Sequence, residues 1–181
     1  MKAVLITLAA VVGVALIAFT AVVSSKNTAI SLEETVNTAQ SDIDVQLSNR
    51  FNKLTELAEC VKRYDAHEYK TLVDVISARG KNMSGAQAKE CIAAFSRVEE
   101  RYPDLKSQPN YKHLMTEISL TENHLAQHKK AYNEAVRDYK RHCRSFPDSM
   151  FLSLCGYETQ QYKYYEAEDS VKDNKPMKLF Q

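Results

Sequence analysis

Residues 111–143 read YKHLMTEISLTENHLAQHKKAYNEAVRDYKRHC, and within them Tyr111, Ile118, Leu125, Tyr132 and Tyr139 recur every seven positions, flanked by Leu114, Met115, Ala135, Val136 and Cys143. A seven-residue apolar stripe is what a helix uses to pack along a nearly parallel or antiparallel neighbour. This stretch is a long helix with one face in a core. Upstream, Val36, Ile43, Leu47, Leu54, Leu57 and Val61, then Leu72 and Ile76, then Cys91, Phe95, Val98 and Tyr102 keep the same three-and-four spacing. Period two, the mark of a half-buried strand, is absent. Only four glycines and four prolines occur in 181 residues, too few turn-formers for a sandwich or a doubly wound sheet.

Breakers divide the pattern at Tyr64-Asp65-Ala66-His67-Glu68, at Gly80-Lys81-Asn82-Met83-Ser84-Gly85, between Tyr102-Pro103 and Pro109-Asn110, and at Ser145-Phe146-Pro147-Asp148. Asp65 is an N-cap for the helix that follows it, and Ser84 with Gln87 reads as a capping box. The segments of about 30–64, 66–101 and 110–145 are similar in length, which predicts an up-down-up bundle with an interruption near 80–85. That register brings Val36, Phe95 and Ile118 into one layer and Leu54, Ile76 and Val136 into another. It also puts Cys60 and Cys143 near one level, with Cys91 roughly 30 Å lower as a free buried thiol. Cys155 follows the Pro147 turn, leaving one disulfide open among Cys60, Cys143 and Cys155. The segment from Asp148 onwards, with Phe151, Leu152, Leu154, Tyr157, Tyr162, Tyr164 and Tyr165, is expected to fold back onto the bundle, ending in a polar tail over 170–181.

From Ala3 to Val23 only Thr7, Gly13 and Thr20 interrupt an apolar run. At about 1.5 Å per residue this reaches across the ~30 Å hydrocarbon core of a bilayer, and it exceeds the apolar stretch of a secretory signal, typically about 7–15 residues. An uncleaved anchor is predicted, with the lipid bilayer as the partner of residues 3–23. Lys2 and Lys26 flank the run almost symmetrically, so charge leaves its orientation open. The expected organisation is an anchor over 1–28, a helical body over 29–169 and the tail. Lys and Arg number 24 against 23 Asp and Glu, leaving none of the basic excess of a nucleic-acid binder.

Chemistry-bearing motifs are sparse. His67-Glu68 opens like a zincin helix, but Thr71 stands where the second histidine is needed. None of His67, His113, His124, His128 and His142 has a carboxylate three residues before it, as di-iron bundles require. His124 and His128 lie one turn apart and form a candidate metal pair, the basis of an alternative reading as a ligand or metal sensor. No glycine-rich phosphate loop or nucleophile elbow occurs. No catalytic residue and no cofactor are expected.

Several strings resemble the LemA family of bacterial membrane-anchored proteins. They are Asp42-Ile43-Asp44-Val45-Gln46-Leu47 with Arg50-Phe51, Tyr64-x-Ala66-His67-Glu68 with Thr71-Leu72, Tyr102-Pro103-Asp104-Leu105-Lys106, and Thr121-Glu122-Asn123. Tyr132-Asn133-x-Ala135-Val136-x-Asp138-Tyr139, Phe146-Pro147, Cys155-Gly156-Tyr157 and Pro176 follow in the family's order. The chain departs from the pattern at Leu54-Thr55-Glu56-Leu57, where the family has a proline, and at His124, where it has an arginine; a proline kink near 55 is therefore not expected. The resemblance implies an all-α fold: one N-terminal transmembrane helix, then an antiparallel bundle of long helices carrying a packed C-terminal segment. It implies a non-enzymatic protein of the bacterial inner membrane with its body in the cytoplasm and its four cysteines reduced. It also implies a protein partner at the membrane in protein quality control, such as a metalloprotease of the HtpX type or a TPM-domain protein.

Overall fold

A computed structural model describes residues 2–166; the tail expected over 170–181 lies outside them. All regular structure among the described residues is helical: α1 (Lys2–Val61), α2 (Ala66–Arg79), α3 (Gly85–Arg101), α4 (Pro103–Ser107), α5 (Pro109–Arg144) and α6 (Asp148–Leu154). With Thr55 in place of a proline, α1 runs unbroken through 60 residues. The residues divide into two units: Ser41–Lys130 with Tyr165 and Glu166, and the residues up to Gln40 with Ala131–Tyr164.

In the first unit, the end of α1 packs beside the start of α5. Asn110 Nδ2 lies 3.5 Å from Cys60 Sγ, Lys53 Nζ 2.5 Å from Glu117 Oε2, and His128 Nδ1 3.7 Å from Asp42 Oδ2, so residue numbers fall on one helix as they rise on the other. The two helices are antiparallel. This corrects the up-down-up register, in which first and third helices run the same way. The cause is the break at 80–84, which is a full reversal. Gly80 closes α2 at φ 65°, a value that favours glycine. The expected capping box, Ser84 with Gln87, then starts α3. Arg79 bonds the Gln87 carbonyl and pairs with Glu90, while Arg101 pairs with Glu68 at the other end, so α2 and α3 form a hairpin. The reversal lets the stripes Leu72-Ile76 and Cys91-Phe95-Val98 share one core with Leu54, Leu57, Leu114 and Ile118. Of the two predicted layers, Phe95 with Ile118 and Leu54 with Ile76 lie in this core, whereas Val36 and Val136 belong to the other unit. Cys91 is buried in this core and all four cysteines are free.

In the second unit, Val36, Tyr132, Val136 and Tyr139 are buried, and Leu152 of α6 is buried as well. The C-terminal segment returns along α1: Tyr157 Oη donates to Glu33 Oε2 at 2.6 Å and Tyr162 Oη to Asn37 Oδ1 at 3.2 Å. Beyond the α5–α6 turn, then, the chain folds back as predicted, except that Leu154 and Tyr164, expected on the bundle, are exposed. The apolar run at the start of α1 is long and apolar enough to cross a membrane, and its large side chains from Val4 to Phe19 are exposed.

Candidate functional site

The family-like strings meet in pairs. Arg50, on the seven-residue spacing of Ala29, Val36, Ile43 and Leu57, occupies a core position and is 0% exposed. Its Nη1 lies 3.1 and 3.3 Å from the two carboxylate oxygens of Glu122, and its Nη2 donates to the backbone carbonyl of Met83 in the α2–α3 turn. One guanidinium thus ties α1 to α5 and to the hairpin turn. Its Nε has no partner, so the site carries an uncompensated desolvation cost beside its charge pair.

The second pair joins the Tyr64–Glu68 string to Tyr102-Pro103. Asp65 caps α2 by accepting from the amides of His67 and Glu68, and its other carboxylate oxygen accepts from Tyr102 Oη at 2.8 Å. The Tyr102 hydroxyl, then the two amides, hold the Asp65 carboxyl below the usual carboxylate range. Gln108 Nε2 donates to Tyr64 Oη at 2.7 Å, and the rings of Tyr64 and Tyr102 lie 6.0 Å apart. The third pair joins Tyr139 to the Cys155-Gly156-Tyr157 string. The two tyrosine oxygens are 3.3 Å apart, Gln160 N donates to Tyr139 Oη, and Tyr162 meets the Tyr139 ring edge-on at 5.4 Å. Burial, reinforced by the bond to Glu33, pushes the Tyr157 hydroxyl well above its ordinary value.

The candidate metal pair takes different surroundings at its two ends. His128 is half-buried against Asp42, whereas His124 is exposed on a polar groove of about 340 Å³ lined by Gln46, Asn49, Lys53, Glu117 and Leu120. Among the described residues, no group of three or more His, Cys, Asp or Glu is placed to hold a metal ion. His67 opens α2 with Thr71 capping back onto its carbonyl. His142 is half-buried, with Nε2 2.9 Å from the Ser25 carbonyl and Nδ1 3.7 Å from Asp148.

Two of these contacts escaped sequence reasoning. Arg50 was legible in principle, as the polar member of a seven-residue series. The His142–Ser25 contact spans 117 positions and has no local signature.

Two magnetosome proteins of Paramagnetospirillum magneticum, MamQ 1 and MamQ 2, are each 27% identical to the chain over 85 residues, 46% of this chain and 31% of theirs. The chain therefore spans about a third of the length of these curated relatives. The LemA family model matches residues 39–179, a span that holds every one of the paired strings described above. By that match over most of its length, the chain belongs to the LemA family.

Proposed function

We propose that the chain is a single-pass, membrane-anchored helical interaction protein without enzymatic activity, which presents its body to a protein partner at the membrane surface. The observation that carries this reading is how the polar side chains of the family strings are spent. Arg50 with Glu122, Asp65 with Tyr102, and Tyr139 with Tyr157 are engaged with each other, holding helices together. Such polar clasps specify a unique arrangement of helices, which an interaction surface needs.

In this reading residues 1–28 are the anchor, 29–169 the body and 170–181 a tail, with lipid as the partner of residues 3–23. The family resemblance supports a body in the cytoplasm beneath the inner membrane and a partner that is itself a membrane protein, such as a metalloprotease or a TPM-domain protein. Crosslinking in native membranes followed by mass spectrometry tests this. A reproducible adduct joining the body to one integral membrane protein is expected; adducts with soluble proteins alone would contradict it. Zinc or nickel added to the purified chain is expected to leave the melting temperature unchanged. A rise abolished by His128→Ala would favour the sensor reading instead.

A further inference from the structure

We propose that the α5–α6 corner makes a second contact with the bilayer, with Phe146, Met150 and Leu154 inserted at its near interface. The proposal rests on the anchor reading above and adds a site of lipid contact to it. These three residues are 82%, 52% and 76% exposed, an unusual cost for large apolar side chains on a folded surface. Met150 and Leu154 stand one turn apart on one face of α6, Leu152 between them is 2% exposed, and Phe146 lies in the turn that leads into the helix. The segment is therefore two-sided: one side is in the unit's core, and the other, apolar too, has no partner among the described residues.

What lies opposite the open side follows from where α5 ends. His142 in its last turn bonds the carbonyl of Ser25, two residues past the end of the apolar run at Val23. Because α5 approaches along α1 from the body, it points its C-terminal end at the anchor. The chain is next tied to α1 at Glu33, by Tyr157. Residues 146–154 are thus bracketed in the chain by two ties to α1, at Ser25 and at Glu33, about 12 Å apart along that helix at 1.5 Å per residue. The interfacial layer of a bilayer, roughly 5–7 Å deep on each side, begins where the apolar run stops. The last turn of that run is already partly covered at Ala21 and Val22. Lys26, three residues past the apolar run, and Arg144, which ends α5, are both exposed, and long cationic side chains are favoured at the level of lipid phosphates. The exposed side chains of 146, 150 and 154 follow a helix end tied to α1 just past the apolar run, and lipid is the occupant that position selects.

The chain contains no tryptophan, so a single introduced indole reports its own depth. The full chain carrying Phe146→Trp, and separately Leu154→Trp, is reconstituted in phosphatidylcholine vesicles with a brominated acyl chain. Leu120→Trp, exposed in the other unit, is the aqueous reference. Indoles at 146 and 154 are expected to be quenched several-fold more by brominated lipid, and several-fold less by acrylamide, than the indole at 120. Each position is tested separately, and unchanged helicity by circular dichroism shows that both variants fold.

Quenching at both positions like that at 120, in chain retained on vesicles through alkaline carbonate, overturns this proposal and leaves the anchor standing. Release by carbonate overturns the anchor, and this proposal with it. An indole shielded from both quenchers, with shielding lost on dilution in lipid, assigns the face to a second copy of the chain and also overturns it.

Discussion

Removing Glu122, which is a third exposed, should damage the fold more than replacing the fully buried Arg50 with methionine. Glu122→Ala leaves a guanidinium with no exposure, an unpartnered Nε and only the Met83 carbonyl to bond. Stripping the counter-charge from a buried ion costs about 3–5 kcal/mol. Arg50→Met removes that charge and refills most of its volume with an apolar side chain. It orphans one carbonyl, that of the buried Met83, at about 1–3 kcal/mol, while Glu122 turns to water. At roughly 2–4 °C per kcal/mol for a chain of this size, Glu122→Ala should lower the melting temperature by about 6–20 °C and Arg50→Met by about 2–12 °C. The double variant should resemble Arg50→Met, because once the charge is gone the carboxylate no longer matters. Urea unfolding of the full chain in mild detergent, followed by helicity at 222 nm, measures all three. A Glu122→Ala variant within about 1 kcal/mol of wild type, or a double variant as unstable as the sum of the singles, would refute the reasoning.

Leu54 and Leu125 are both buried, so truncating either to alanine should cost about 2–5 kcal/mol by the same urea assay; an unchanged midpoint for both would show that the described core is not the one that forms. The Asp65 carboxyl, bonded by the Tyr102 hydroxyl, and that of Glu117, bonded by the Lys53 ammonium, are held below the usual carboxylate range. A carboxyl whose folded value is depressed contributes stability above its ordinary value of about 4, so the melting temperature should hold from neutral pH to about 5 and fall below about 4. A pair of variants, Asp65→Asn and Glu117→Gln, should flatten that fall, and an acid limb equally steep in the double variant would show that other groups set it. Burial pushes the Cys91 thiol up against the opposing pull of the Arg79 guanidinium, and N-ethylmaleimide should modify Cys91 last of the four cysteines in native membranes. Modification of Cys91 as fast as Cys60 would contradict its burial.

The seven-residue series from Tyr111 to Tyr139 was legible because a helix displays its buried face in its own spacing, and all five members are buried. The N-cap at Asp65 and the capping box at Ser84 were legible for the same reason: each is made by residues within one turn. Chain direction was not. The break at 80–84 shows that a helix stops and another starts, but whether the second continues or reverses depends on which stripes find each other across the core. Equal segment lengths favoured continuation, whereas burying Leu72 and Ile76 together with Cys91 and Phe95 required reversal. Arg50 was hidden by its own type, since arginine on a helix is ordinarily solvated and its partners Glu122 and Met83 are far away in sequence.

An interaction protein presented at the membrane must keep the N-terminal run of α1 on the mature chain as its anchor. Membranes from cells expressing the native chain, washed in alkaline carbonate and analysed by intact mass, test this directly. The anchor reading predicts that the protein stays in the pellet and retains residues 3–23. A soluble protein beginning near residue 26 would contradict it and turn the run into a secretory signal.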